Sequence, residues 1–252
     1  MQTTPTDPSG PRENRDAANW APLIDRLEVT GPDGATNLVQ GQRLQGPLQG
    51  FGKMWQKTYR ISMGEGVTPP EAIRVWKDNF PSFWPRGNRF YPPLTGIEPG
   101  EVALISVAAG PMKLSTGVMV LYADDESFTL MTPQGHMFAG WITFSAFGDG
   151  GRTVAQTQVL MRAQDPLAEI GLKFGGHKQE DAFWQHTLAA LAGHFGVQAQ
   201  PETTVVCIDP RCNWGHAMNV WHNAGIRSVI HTLAAPGRWL SKPFRRRARD
   251  IG

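Results

Sequence analysis

The sequence predicts an α+β domain in which a curved antiparallel sheet wraps around a long C-terminal helix, with an additional amphipathic helix after it. Three observations predict this. Strand-like segments follow one another from residue 101 to residue 163 with only turns between them. A helical pattern then opens at Asp165 and runs on to Phe195. A sheet with one apolar face has to bury that face, and this helix is the one element long enough to cover it.

Taken in order, residues 1–50 read as a largely disordered or extended segment. The first residues are rich in Pro, Gly, Thr and charge, and a Gly/Gln-rich connector follows. The helix-bearing domain spans 51–198, and 199–252 form a C-terminal extension. In "MWQKTYRISM" the alternate residues Trp55, Tyr59, Ile61 and Met63 face one side, with Gln56, Thr58, Arg60 and Ser62 on the other. "TPPEAIRVWKDNF" is a short helix with Thr68 as N-cap and Pro69 at the first helical position. Five strands follow: "EVALISVA", "MKLSTGVMVLYA", "ESFTLMT", "HMFAGWITFSAF" and "RTVAQTQVLMRA", joined by turn sequences such as "TPQG" and "GDGG". In the long helix Asp165 caps and Pro166 opens, apolar residues recur at helical spacing, and Gly175–Gly176 should bend it midway.

The composition bounds the function. The chain has 252 residues, 40% hydrophobic and 18% charged, with a net charge of +2, so no global field demands nucleic acid. The basic residues concentrate at the end: residues 201–252 carry eight Lys/Arg against three Asp/Glu. Two cysteines make no disulfide framework, and the first residues lack the basic and apolar regions of a secretion signal, so a cytoplasmic address is expected. No GxSxG, HExxH, GxxxxGK[ST] or GxGxxG motif occurs, so no residue is assigned a catalytic role and no cofactor is expected. Cys207, Cys212, His216 and His222 are the right types for zinc, but their C-x4-C-x3-H-x5-H spacing is not that of a structural site, and no metal is expected.

The segments "GFGKMWQKTYRI", "FPSFWPRGNRFYPPLTGIEPGEVALI", "STGVMVLYADDESFTLMTPQGHMFAGWITFSAF" and "EIGLKFGGHKQEDAFWQHTL" give the chain a resemblance to the START/Bet v 1-like (SRPBCC) superfamily. The resemblance is closest to its bacterial members of the DUF1990 type. It implies a helix-grip fold over roughly residues 50–197. It also implies a hydrophobic space between sheet and helix, used across the superfamily for lipids, sterols, polyketides and other apolar ligands.

Strand alternation independently gives inward candidates: Trp55, Tyr59, Ile61, Leu114, Val118, Val120, Phe128, Leu130, Phe138, Ile142 and Phe144. The aromatic stretch "FPSFWPRGNRFYPP" adds Phe83, Trp84, Phe90 and Tyr91, whose rings either cap a core or line the mouth of a cavity. Arg86 and Arg89 could anchor a ligand's carboxylate or phosphate, or hold their loop. His136, after a turn, is either a polar anchor or an ordinary solvated histidine. "GGHKQED", holding His177, reads as a solvated stretch, and the inward positions supply almost no titratable groups.

Carriers need only volume and apolar walls. The expected function is therefore binding or transport of an apolar small molecule or lipid. The alternatives are a cyclase/aromatase- or hydrolase-like enzyme using the same space, and a ligand-free scaffold whose interior is filled. After Asn213 an amphipathic helix is predicted, with Met218, Trp221, Ile226, Val229, Ile230 and Leu233 in one apolar stripe. In the tail, Trp239, Lys242, Phe244, Arg245, Arg246 and Arg247 mix cations with large apolar side chains, the composition that an anionic membrane surface attracts. Specific nucleic-acid recognition is not expected, because the tail brings no base-reading platform.

Overall fold

The computed structural model describes residues 17–30, 35–109 and 112–233. Eight strands form one curved antiparallel sheet: β1 (Met54–Ser62), β2 (Arg89–Tyr91), β3 (Val102–Ala109), β4 (Met112–Ala123), β5 (Ser127–Met131), β6 (Phe138–Asp149), β7 (Arg152–Ala163) and β8 (Glu202–Asp209). Their order is β2-β3-β4-β5-β6-β7-β1-β8. Consecutive strands pair as hairpins from β2 to β7. The first strand closes the far side, with Tyr59 opposite Thr157 on β7 and Thr203 on β8. The fold is the helix grip: α1 (Pro69–Asn79), the single turn Phe80–Phe83 and α3 (His177–His194) contribute to the core on the concave face.

Two helices start where capping chemistry places them. Thr68 Oγ1 accepts the Glu71 N–H at 3.4 Å ahead of Pro69, and Asp165 Oδ1 accepts the Ala168 N–H at 3.0 Å ahead of Pro166. The long helix is broken as its glycines require. A short α2 (Pro166–Gly171) runs into a wide turn, Leu172–Gly176, where Gly175 has φ +110°, and α3 starts at His177.

The convex face is also dressed. Residues 17–30 and 35–50 run largely extended over it, Trp20 bridging to Tyr122 and Leu44 to Pro133. They build a second, smaller core in which Leu27 and Val39 meet Val102, Leu104 and Met119. Gly117 makes room for this: a Cβ there would come within 2.6 Å of the Ala103 carbonyl and 3.2 Å of Val39.

The C-terminal extension differs from its expected form in two ways. Its start, Glu202–Asp209, is the strand β8. The single helix expected after Asn213 is two pieces, a tight helical turn over Trp214–His222 and α4 (Ala224–Leu233), parted at Asn223, whose ψ of 126° is not helical. The apolar stripe faces outward, with Met218, Trp221, Val229 and Ile230 all exposed. The tail positions Trp239, Lys242, Phe244, Arg245, Arg246 and Arg247 lie outside the described residues.

Candidate functional site at the ionic end of the grip

The concave face has two ends with different chemistry. At one, rings contact rings. Phe80 meets Phe90, Phe128 and Phe144 at centroid distances of 4.9, 5.5 and 5.1 Å, Phe128 stacks on Phe144 at 4.6 Å, and Trp76 and Trp84 close around them. Phe83, Val118, Leu130 and Ile142 belong to the same buried cluster, and Phe138 packs at its margin. The proline-rich aromatic stretch therefore caps a core with Phe80, Phe83, Trp84 and Phe90.

Four expected contacts fall elsewhere. Tyr91, next to Phe90 on β2, turns to the opposite face and packs against the outer core. Arg86 and Arg89 are exposed, so neither reaches the interior. His136 Nδ1 accepts the Phe138 N–H at 3.0 Å, and desolvation holds its pKa down at about 4, so at neutral pH it is a neutral member of its turn.

The other end is ionic. Because β1 alternates strictly, the side that carries Trp55, Tyr59, Ile61 and Met63 also carries Lys57, which is only 1% exposed. Opposite it, the first turn of α3 presents His177, Glu180 and Asp181. Their i, i+3, i+4 spacing continues toward the helix start the inward stripe of half-buried Trp184 and buried Thr187, Leu188 and Leu191. Lys57 Nζ lies 2.8 Å from Glu180 Oε2 and 2.7 Å from Asp181 Oδ1, and donates to the His177 carbonyl at 3.4 Å. The Tyr59 hydroxyl donates to Asp181 Oδ1 at 2.7 Å. Trp55 and the His177 ring meet in a T-shaped contact with centroids 5.1 Å apart.

Burial dominates the electrostatics. Glu180 is pushed up to about 7, because desolvation outweighs the pull of Lys57. Burial and the two carboxylates raise the Tyr59 phenol far above its usual range. Burial, then the Lys57 charge, lowers His177. Glu180 thus sits near its ionisation point at neutral pH, with the Lys57 amine and the Asp181 side chain beside it. Four polar atoms around this end have no hydrogen-bond partner among the described residues: Trp55 Nε1, Thr157 Oγ1, His177 Nδ1 and Glu180 Oε1. Thr157 is 0% exposed and pairs across the sheet with both Tyr59 and Phe144, which places it between the ionic end and the rings.

The expectation that the interior holds almost no titratable groups is therefore overturned, as is the solvated reading of "GGHKQED", since Glu180 is buried and His177 half-buried. Trp55 and Tyr59 do sit at this end. Lys57, Glu180, Asp181 and Thr157 were missed, and the available signals were the parity of β1 and the HxxED spacing. Among the described residues no group of three or more His, Cys, Asp or Glu gathers to hold a metal, and no helix is long and apolar enough to cross a membrane.

A clean test of the shifted carboxyl is Glu180→Gln. Glu180 has a higher pKa folded than unfolded, so the folded protein binds the extra proton between about pH 4.5 and about pH 7. The stability this gives is complete below the lower value and lost as pH rises through the upper one. His136 and His177, shifted downward, work in the opposite sense, so the quantity to measure is the difference between the two proteins in urea melts. That difference should move in favour of Glu180→Gln by roughly 1.4 kcal/mol per pH unit across this window, up to roughly 3 kcal/mol, then level off. A pH-independent difference would refute the shift.

No family model matches the chain, and no curated relative does. Solved structures show likenesses over the grip. Ara h 8.0201 aligns with 56% of this chain and 97% of its own at 12% identity and a TM-score of 0.39. A START superfamily protein from Mycobacterium smegmatis aligns with 57% of this chain and 98% of its own at 19% identity and 0.37. The di-domain ARO/CYC StfQ from the steffimycin biosynthetic pathway aligns with 57% of this chain and 53% of its own at 8% identity and 0.41. The sheet order and the gripped helix, not these matches, define the fold.

Proposed function

We propose that the protein binds an apolar small molecule or lipid that carries a polar group, with that group held at the Lys57–Tyr59–Glu180–Asp181 end of the grip. The likeness to DUF1990-type proteins rests on the sequence segments alone and adds no chemistry. The observation that carries the reading is the set of unpartnered atoms around that end: Thr157 Oγ1, Glu180 Oε1, Trp55 Nε1 and His177 Nδ1. A buried polar atom without a partner costs about 1–3 kcal/mol, and folded proteins keep few of them. Four in one place favour a ligand bearing both donors and acceptors. The packed rings occupy the α1 end. The ligand's apolar body therefore belongs beside Trp184 and Thr157, where a protonated Glu180 would donate to a carbonyl or hydroxyl.

A second reading is an enzyme moving a proton through Glu180, favoured by the pKa of about 7 on that buried carboxyl. Both are tested on protein purified under non-denaturing conditions, by native mass spectrometry followed by solvent extraction. One bound small molecule per chain is expected, with occupancy falling several-fold in Thr157→Val and Glu180→Gln. Recovery of a chemically altered compound from wild type but not from Glu180→Gln would select the enzyme. Empty spectra, together with melting unmoved by apolar alcohols and ketones, would refute both.

A further inference from the structure

We propose that the outward face of Trp214–Ile230 is a docking surface for an anionic lipid bilayer. The segment is built inside out. Three of its polar side chains, Asn219, Asn223 and Ser228, turn to the protein. Asn219 Nδ2 donates to the Gln49 and Gln164 carbonyls at 2.9 and 3.0 Å, and Asn223 Nδ2 donates to Asp165 Oδ2 at 2.7 Å. Ser228 Oγ accepts the Ser115 N–H at 3.1 Å, on a stretch of β4 ahead of its pairing with β5. The backbone joins in, with Asn213 N–H to Phe51 O at 2.6 Å and Ala224 N–H to Gly135 O at 2.7 Å.

The large apolar side chains point to solvent. Trp214, Met218 and Trp221, spaced four and three residues apart, are 75, 69 and 70% exposed, and Ile230 is 60% exposed. Leu48, whose carbonyl accepts from Asn213 Nδ2 at 3.5 Å, adds another exposed apolar residue beside them. The bonds to the grip fix this orientation, so the exposed rings belong to a presented surface.

Charge selects the occupant. Directly after the segment, the sequence carries Arg238, Lys242, Arg245, Arg246, Arg247 and Arg249 against the single acid Asp250. A second copy of this chain would bring a further set of the same cations rather than a counter-charge. A bilayer with anionic headgroups attracts them and offers an interface in which tryptophan is at home, ring in the acyl boundary and N–H in the headgroups. The surface and the charge run are adjacent in the chain and complementary to the same partner.

The test uses the full chain with vesicles of phosphatidylcholine alone and of phosphatidylcholine mixed with phosphatidylserine. Co-sedimentation and quenching of tryptophan fluorescence by brominated lipid are the readouts. Wild type should bind the anionic vesicles, less at high salt. Met218→Ser with Trp221→Ser should weaken binding by about tenfold or more at an unchanged melting temperature, since both side chains are exposed. Arg245→Gln, Arg246→Gln and Arg247→Gln together should weaken it about as much, on anionic vesicles only. The proposal is overturned if wild type ignores anionic vesicles, or if the Met218/Trp221 variant binds like wild type. It is also overturned if sedimentation velocity shows a dimer that this variant dissociates while vesicles stay unbound. None of these arms depends on what the interior holds.

Discussion

Replacing Lys57 by methionine is expected to lower the folding stability at neutral pH by about 3–5 kcal/mol, the cost of breaking a buried ion pair from one side. Methionine fits the volume, so the loss is electrostatic. Glu180 and Asp181 face each other without the cation that now lies 2.8 and 2.7 Å from them, and the Tyr59 hydroxyl is left as Asp181's donor. Without the Lys57 charge and hydrogen bond that hold it down, the Glu180 carboxyl takes up its proton at a higher pH than in wild type, so the penalty should shrink as pH falls toward about 7 and level off below it, where wild type is protonated as well. Pairing Lys57→Met with Glu180→Gln should recover much of the loss. Chemical denaturation at pH 5.5 and 8 in the four proteins of this cycle measures the coupling, and additive effects would show that Lys57 and Glu180 do not interact.

The second large effect belongs to the rings. Phe144→Ala should cost about 3–5 kcal/mol, because Phe144 is fully buried and touches Trp76, Phe80, Phe128 and Trp184, none of which can close the gap without leaving its other partners. The space left is dry and aromatic-walled, so a small apolar ring such as benzene should raise the variant's melting temperature while leaving wild type unmoved. A loss below about 1 kcal/mol would show that the α1 end of the grip is loosely packed.

These two variants probe the parts of the molecule that the sequence disclosed unequally. Alternation made the strands and their inner rings legible, because Phe128, Leu130, Ile142 and Phe144 follow the period of two and are all buried. The caps at Thr68 and Asp165 and the break at Gly175 follow from local stereochemistry. β8 escaped notice for a physical reason. Val205, Val206 and Ile208 are all exposed on an edge strand, so no alternation marks it, and backbone bonds to β1 define it. The ionic end escaped because lysine and glutamate are normally solvated, and composition alone gives no warning when two such residues pair in the interior. In the C-terminal extension the apolar stripe was visible, but its direction was not. Asn213, Asn219 and Asn223 decide it through bonds to residues more than fifty positions away.

The sheet order also has a consequence for how the chain is made. β1 lies between β7 and β8, so residues 54–62 leave the ribosome with neither neighbour available, and wait for roughly a hundred more residues to be synthesised. At 5–20 residues per second, translation leaves Lys57 without its partners Glu180 and Asp181 for about 6–25 s. Closure of the first strand is thus a late event in assembly, and defects in it will show as faster unfolding more than as slower folding.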